Sequence, residues 1–134
     1  MGDILNNFSI SLDSTSLNAF IRSERYICEL LENRGHTILA QNYFVHNVGE
    51  VDIISMKDGV LYATEVKARK THDQFGGAKA QFTIEKQSRV IKALQHYASY
   101  QNQHDIQVKL LYAAIKWDDQ QVIVDCELLD WDLY

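Results

Sequence analysis

The chain contains no proline, only two cysteines and no long apolar run. Two cysteines, Cys28 and Cys126, cannot build a disulfide framework or a zinc-binding spacing. No apolar stretch approaches the roughly 18 residues that a membrane-spanning helix requires. The opening segment, MGDILNNFSI, lacks the basic start and apolar core of a signal peptide. We therefore expect a cytoplasmic protein with no membrane partner, in which Cys28, on an apolar helical stripe, is a buried structural thiol.

Length and charge narrow the class of protein further. With 134 residues, 46% hydrophobic and 23% charged, the composition is typical of one soluble globular domain. Residues 1–13 are polar and show no clear period, so we expect a loosely ordered arm followed by a single domain over residues 14–134. The net charge of -5 argues against a protein that coats DNA through a broad basic surface. It does not exclude an enzyme whose carboxylates hold cations beside a phosphate.

Apolar spacing predicts a helix that begins near Ser14. Between Leu17 and Leu31 apolar side chains recur every third or fourth position, and Glu24 is the one charged member of that stripe. The hydroxyls of residues 14–16 offer N-cap oxygens, and Gly35 offers the left-handed conformation that ends a helix.

The rest of the chain predicts five strands and one more helix. Two turn signals, at residues 46–49 and 57–59, separate the first three strands, and glycines 76 and 77 indicate a mobile loop over residues 71–82. The strands are predicted over residues 37–45, 51–56, 61–66, 108–117 and 121–126. The second helix, predicted over residues 83–100, is expected to bury Ile84, Ile91, Leu94 and Ala98. The order α-β-β-β-α-β-β indicates an α/β fold with a mixed sheet flanked by helices.

Two carboxylates stand in unusual places. Glu24 lies on the apolar helix stripe, where a buried charge costs several kcal/mol without a partner, although an exposed position at the stripe's edge or an ion pair would also explain it. Asp52 interrupts the apolar strand residues Val51 and Ile53, and strand alternation places it on the same face as Glu50. A solvent-facing pair on a half-exposed strand is the alternative.

Glu65 and Lys67 are two residues apart on the third strand, so their side chains point to one face. A tight hairpin joins that strand to the strand of Asp52, which can bring Asp52 and Glu65 onto neighbouring strands. Carboxylate oxygens suit Mg²⁺, which keeps several waters, polarises a phosphate and activates a water nucleophile. A lysine beside the ion orients that water or stabilises the transition state. The pattern therefore predicts a Mg²⁺ or Mn²⁺ site on Asp52 and Glu65, with Glu50 as a further candidate ligand.

Basic residues follow the acidic ones along the chain. Arg69 and Lys70 come directly after Lys67, and Lys86, Arg89 and Lys92 share one side of the second helix. They are candidates for contacts with nucleic-acid phosphates. A charged, solvated helix face is the alternative explanation.

The segments GEVDII and LYATEVKARK, joined by a hairpin, resemble the PD-(D/E)XK nuclease superfamily. The closer resemblance is to the YraN family of small bacterial proteins, whose pattern is a helical Glu, a G-E-hydrophobic-D strand, an E-V-K strand end with a following basic residue, and a helix opening near a Lys. Those positions are here Glu24, Gly49 to Asp52, Glu65 to Lys67 with Arg69, and Lys86. The stretch MKDGVLYATEVKARK is also similar to archaeal Holliday-junction resolvases. The resemblance covers roughly residues 20–115, and Ser23 departs from it, standing where the family usually has Gly.

This resemblance implies a restriction-endonuclease-like fold and a metal-dependent endonuclease. Asp52 and Glu65 would be metal ligands, Lys67 the catalytic lysine, and Glu24 an outer ligand or water-holder. The expected substrate is DNA rather than RNA, with branched or junction DNA included, and junction cutting would need a symmetric homodimer. Two alternatives stay open: a non-catalytic nucleic-acid-binding or protein-interaction module on the same scaffold, and a structural ion-pair network that holds no ligand.

Overall fold

The computed structural model describes the backbone of residues 12–71 and 82–131, and it is an α/β protein with one five-stranded mixed sheet. The order α-β-β-β-α-β-β predicted from the sequence is confirmed. The elements are α1 (Leu12–Asn33), β1 (Thr37–Val45), β2 (Gly49–Lys57), β3 (Val60–Lys70), α2 (Ile84–Tyr100), β4 (Gln107–Trp117) and β5 (Ile123–Trp131).

The strands lie in the sheet in the order in which they follow along the chain, β1-β2-β3-β4-β5. All neighbours are antiparallel except β3 and β4, which are parallel. A parallel pair needs a crossover, and residues 71–106, which include α2, supply it. β3 pairs with β4 over its whole length, from Val60 opposite Gln107 to Lys70 opposite Trp117.

Alternation along β3 and β4 divides the core into two layers, one on each face of the sheet. One layer packs under α2 and contains Leu61, Ala63 and Leu110 among its buried residues. The other packs under α1 and contains Val66, Leu111 and Ile115. Each helix therefore covers one face, which leaves β4 buried on both sides.

The first helix begins earlier than predicted and ends where predicted. Because α1 starts at Leu12, the hydroxyl residues 14–16 lie inside the helix, and the expectation that they cap it is wrong. At the other end Gly35 has φ 95°, and the amides of Gly35 and His36 donate to the carbonyls of Glu32 and Leu31. This double hydrogen bond closes the helix in a Schellman motif. Residues 1–11, which include most of the expected arm, lie outside the described residues.

The second helix is capped by Thr83, whose hydroxyl accepts a hydrogen bond from the Lys86 amide at 3.2 Å. Its buried face consists of Val90, Ala93, Leu94 and Ala98. The expectation that Ile84 is buried is wrong: Ile84 is 78% exposed because it lies in the first turn, away from the face that meets the sheet. Within the described part of the chain, neither helix is long and apolar enough to cross a membrane.

The tight turn between β2 and β3 forms as predicted, with Asp58 at φ 51° and Gly59 at φ 76°. Two positive φ values in a two-residue loop match the right-handed twist of the strands. β3 runs four residues further than expected, through Lys70, because β4 continues to pair with it. Glu65 and Lys67 therefore lie inside a strand and not at its end. The expected mobile loop falls largely on residues outside those described.

Candidate functional site

The site begins where β2 separates from β3. Pairing between the two strands stops at Ile53 opposite Thr64. Beyond that point the Asp52 side chain, instead of the β2 backbone, bonds to β3: its Oδ2 accepts a hydrogen bond from the Val66 amide at 2.8 Å. Asp52 is only 5% exposed, so this bond fixes a buried carboxylate in one position.

The separation of the strands also disturbs the alternation of side chains along β2. Val51 packs in the layer under α2, whereas Ile53 packs in the layer under α1. Strand alternation, which would place these two residues on one face, is therefore broken between them. Opposite this point in β1, Asn42 has φ 52°, a conformation that non-glycine residues rarely adopt inside a strand. Both strands thus depart from regular geometry beside Asp52.

Glu65 approaches Asp52 from the α2 face of the sheet. The two carboxyl groups are within hydrogen-bonding distance, which requires a proton between them. Burial, that hydrogen bond and the charge of Asp52 raise the pKa of Glu65 to about 9, while the nearby Lys86 opposes the rise. In the absence of another cation, Glu65 therefore keeps its proton at neutral pH.

Glu24 reaches the same region from α1 on the other face. It is 4% exposed, and its Oε1 accepts a hydrogen bond from Asn42 Nδ2 at 3.2 Å. Its Oε2 is buried and has no hydrogen-bond partner. Burial and the charge of Asp52 raise the pKa of Glu24 to about 7. Glu24 lines neither of the two cavities that contain Asp52, so it lies as a buried carboxyl behind that residue.

Two cavities open onto the Asp52–Glu65 pair. The larger, of about 730 Å³, lies at the carboxyl ends of β3 and β4 and is lined by Lys67, Arg69, Lys70 and Lys86 together with Glu50. The smaller, of about 280 Å³, is also lined by Lys86 and by Arg89. Glu50 is exposed and lines both. The tertiary structure thus brings the predicted acidic and basic residues to these two cavities, except Glu24 and Lys92.

The donor set fits a hard divalent cation completed by water. Within residues 12–71 and 82–131, no three His, Cys, Asp or Glu side chains are arranged to hold a metal ion by themselves. Mg²⁺ does not need three, since it is commonly bound through one or two carboxylates plus waters and substrate phosphate. A cation between Asp52 and Glu65 would replace the shared proton. The orphaned Oε2 of Glu24 is a further acceptor that a water on such an ion could satisfy.

Several residues of this region are not identified from the sequence. Asn42 holds Glu24, and its only sequence signal is an amide in a strand interior, where Asn is depleted. Ser23 is fully buried, and its hydroxyl accepts a hydrogen bond from the Trp117 indole at 2.8 Å, which ties α1 to the end of β4. Phe82, expected in a loop, is buried and stacks on Tyr112 with ring centroids 5.0 Å apart.

Comparison with known proteins finds relatives over most of the chain. One relative, a UPF0102 protein of Psychrobacter cryohalolentis, is 33% identical over 103 residues, which are 74% of this chain and 59% of the relative. Another, from Dictyoglomus turgidum, is 32% identical over 111 residues, which are 81% of this chain and 86% of the relative. The match thus spans less than two thirds of the Psychrobacter protein.

The family model that matches is that of the uncharacterised protein family UPF0102, and it covers residues 23–121. The matched range contains Glu24, Asp52, Glu65 and Lys67, together with the basic residues of both cavities. It spans the sheet from β1 to β4 and all of α2. The chain belongs to the uncharacterised protein family UPF0102.

Proposed function

We propose that the protein is a divalent-metal-dependent endonuclease that hydrolyses phosphodiester bonds in DNA. The observation that carries the proposal is the pair of Asp52, which is buried, and Glu65, which is half-buried; both line the same two cavities, where Lys67 and further basic side chains lie beside them. Like charges so close together are unfavourable unless a cation compensates them. The resemblance to PD-(D/E)XK nucleases, in which this residue pattern holds Mg²⁺, supports the same proposal.

Each residue has a defined task in this proposal. Asp52, held by the Val66 amide, and Glu65 would bind Mg²⁺ or Mn²⁺. When bound, the cation supplies charge neutralisation at the phosphate and lowers the pKa of a water. Lys67 lines the same cavity and would orient the attacking water or stabilise the charge of the transition state. Glu24 would position a water through its free oxygen.

The basic residues around the site would bind the phosphates that flank the scissile one. Arg69 and Lys70 continue β3 beyond Lys67, and Lys86 and Arg89 face the pair from α2. Phosphate contacts of this kind supply most of the affinity for nucleic acid and make it decrease steeply with salt. The net charge of -5 restricts such binding to this region and opposes broad coating of DNA.

Cleavage of labelled single-stranded, duplex and branched DNA in the presence of Mg²⁺ or Mn²⁺ tests the proposal. We expect cutting by the wild-type protein and a decrease of at least about 100-fold in Asp52→Asn, Glu65→Gln and Lys67→Ala, because each removes a charge aimed at the reacting phosphate. Chelation of the metal should stop the reaction.

Two matched variants control for charge alone. Glu29→Gln alters an exposed carboxylate of α1, and Lys109→Ala alters a β4 lysine at the other end of the β3–β4 pair; both should cut at the wild-type rate. Full activity in a folded Asp52→Asn or Glu65→Gln protein contradicts the proposal. No cutting of any substrate, together with retained DNA binding, favours the non-catalytic binding module.

A further inference from the structure

The cavity of about 730 Å³ beside the acidic pair has an apolar wall to which the proposed reaction assigns no task. Ala19 and Phe20 of α1 form this wall, about one helical turn before Glu24. Ala19 packs against the core layer under α1. Phe20 is half-buried and, among the described residues, belongs to neither core layer. Its phenyl ring is therefore an apolar group that packing of the core does not account for.

The direction of the Phe20 side chain follows from the geometry of α1. Ile27 and Leu31 come seven and eleven residues after Phe20, which is about two and about three helical turns, so all three side chains leave the helix along nearly the same line. Ile27 and Leu31 are fully buried in the layer between α1 and the sheet. The Phe20 ring points to the same side of the helix, but at its level it meets the cavity in place of the core.

The cavity extends around the open edge of β3, so it reaches both faces of the sheet. β2 pairs with β3 only as far as Thr64, and in the described part of the chain no other strand takes its place. The consecutive residues Val66 to Lys70 line the cavity, and their side chains alternate between the two faces. Phe20 lies on the α1 side of this edge, whereas Lys67 and Lys86 lie on the α2 side. One cavity thus joins an aromatic surface on one face to basic side chains on the other.

Contacts of the residues that follow Phe20 fix α1 beside the cavity. The Trp117 indole donates a hydrogen bond to Ser23 Oγ at 2.8 Å. Arg22 donates to the Gln121 carbonyl at 3.1 Å, and its guanidinium carbon lies 4.5 Å from the centroid of the Trp117 ring. Trp117 and Gln121 themselves line the cavity. The aromatic surface is thus held in place before any ligand binds, which reduces the entropy that binding costs.

A nucleotide has the two parts that this cavity accommodates, since its phosphate matches the basic side and its base offers a flat face to an aromatic ring. The volume of about 730 Å³ lies in the range of pockets that enclose a small molecule. Asp118 and Asp119 follow Trp117, which α1 contacts, and their charge disfavours a phosphate on that side. A base in a continuous duplex has both faces covered by its neighbours, so only a base that has left the stack can contact Phe20.

We propose that Phe20 stacks on the base of a nucleotide that has left the helical stack beside the scissile phosphate, so that the preferred substrate is a DNA with an unpaired nucleotide at the cleavage position. The inference rests on the proposed nuclease function. The phosphate of this nucleotide lies at the Asp52–Glu65 pair, and its base crosses the open edge of β3 to reach the Phe20 ring. A bulged or mismatched nucleotide satisfies this arrangement at a lower cost in unpairing than a base of a regular duplex.

Fluorescence anisotropy in EDTA, where no metal-dependent cleavage occurs, measures this binding. The probes are a labelled short duplex, the same duplex with one bulged nucleotide at its centre, and the bulged duplex with an abasic sugar at the bulged position. We expect Phe20→Ala to bind the base-containing bulge roughly 5- to 100-fold more weakly, the range for loss of one stacking aromatic, with a change of less than about 2-fold on the other two probes. Phe20→Leu, which keeps an apolar side chain on α1, should also lose affinity for the bulged base, whereas Phe20→Trp should retain it because it keeps an aromatic face.

The control Tyr26→Ala removes an aromatic side chain of the same helix that is 40% exposed and does not line the cavity, and it should bind all three probes like the wild type. Wild-type affinity of Phe20→Ala and Phe20→Leu for the bulged base, or an equal loss on the abasic probe, overturns the stacking role. Metal-dependent cleavage with unaltered substrate preference in Phe20→Ala overturns the inference and leaves the nuclease intact. Binding that depends on both the base and Phe20, without cleavage in any metal, overturns the nuclease instead, and no binding of any probe overturns both.

Discussion

Asp52 is buried and accepts a hydrogen bond from the Val66 amide, and the half-buried Glu65 lies beside it. Burial and the charge of Asp52 raise the pKa of Glu65, so Glu65 keeps a proton when no cation is bound. The positive charge of Lys86 lowers the pKa of Glu65 but does not offset the rise. The residues thus hold a geometry that is unfavourable for the metal-free protein, as expected where a binding site is maintained at the expense of stability.

The raised pKa of Glu65 makes the stability of the metal-free protein depend on pH. The carboxyl group has an ordinary pKa of 4.5 and a folded pKa of about 9, so the folded state holds a proton that the unfolded state releases between these values. This contribution to stability is complete below pH 4.5 and is lost as the pH rises through about 9. In Glu65→Gln the free energy of unfolding should decrease less with rising pH. At pH 9 it should exceed the wild-type value by roughly 1–3 kcal/mol, since the amide keeps the hydrogen bond without the charge.

Urea unfolding in EDTA at several pH values between 5 and 9 measures this effect. Glu29→Gln, on the exposed side of α1, should follow the wild-type curve. Parallel curves for Glu65→Gln and the wild type would show that Glu65 is ionised in the folded protein and that the shared proton is absent.

At the scale of elements, α2 has two functions along its length. Val90, Ala93, Leu94 and Ala98 attach it to the sheet, while its basic residues line the cavities beside the start of β2. Gly49 sets the separation between α2 and the start of β2, because any larger residue would meet the helix backbone at Arg89.

Gly49→Ala should therefore destabilise the protein by roughly 1–3 kcal/mol, the usual cost of inserting a methyl group into a close backbone contact. It should also weaken DNA binding, because relief of the contact moves the β1–β2 turn away from Arg89. Urea unfolding and anisotropy with a single-stranded probe measure the two effects.

Gly59→Ala is the matched control, since Gly59 has φ 76° but nothing within 4 Å of its added Cβ. Its cost is conformational, about 1 kcal/mol, and DNA affinity should be unchanged. Equal effects of the two substitutions on binding would argue that the contact at Gly49 does not position Arg89 for DNA binding.

At the scale of the whole molecule, the cavities around the acidic pair combine both signs of charge. Their lining contains Lys67, Arg69, Lys70, Lys86 and Arg89 together with the carboxylates of Glu50, Asp118 and Asp119. A divalent cation bound at the pair would offset this negative charge and stabilise the folded state as a whole, because an unfolded chain does not offer the site.

Titration with MnCl₂ or MgCl₂ should therefore raise the melting temperature of the wild-type protein. The gain in stability is about 2.7 kcal/mol at a metal concentration one hundred times the dissociation constant. Asp52→Asn should abolish the increase, and Glu29→Gln should retain it, as followed by thermal denaturation. An equal increase in Asp52→Asn would assign the metal effect to other carboxylates.

Much of the fold can be predicted from the sequence because it depends on local interactions. The apolar spacing of α1, the Gly35 stop and the Asp58–Gly59 turn each act within a few residues, and all three are found in the structure. The same is true of the element order and of the alternation that places Glu65 and Lys67 on one face of β3. Local chemistry therefore identified the residue types of the candidate site.

Their arrangement depends on contacts between distant segments, which no local pattern contains. Pairing with β4 extends β3 through Lys70, and the separation of β2 from β3 at Asp52 puts Val51 and Ile53 in different layers. Packing of α1 places Glu24 behind Asp52, and packing of α2 against Gly49 brings Arg89 to the start of β2. The sequence thus determined which groups are present and in which elements, whereas only the tertiary structure decided which of them meet, because strand pairing and helix docking join residues far apart in the chain.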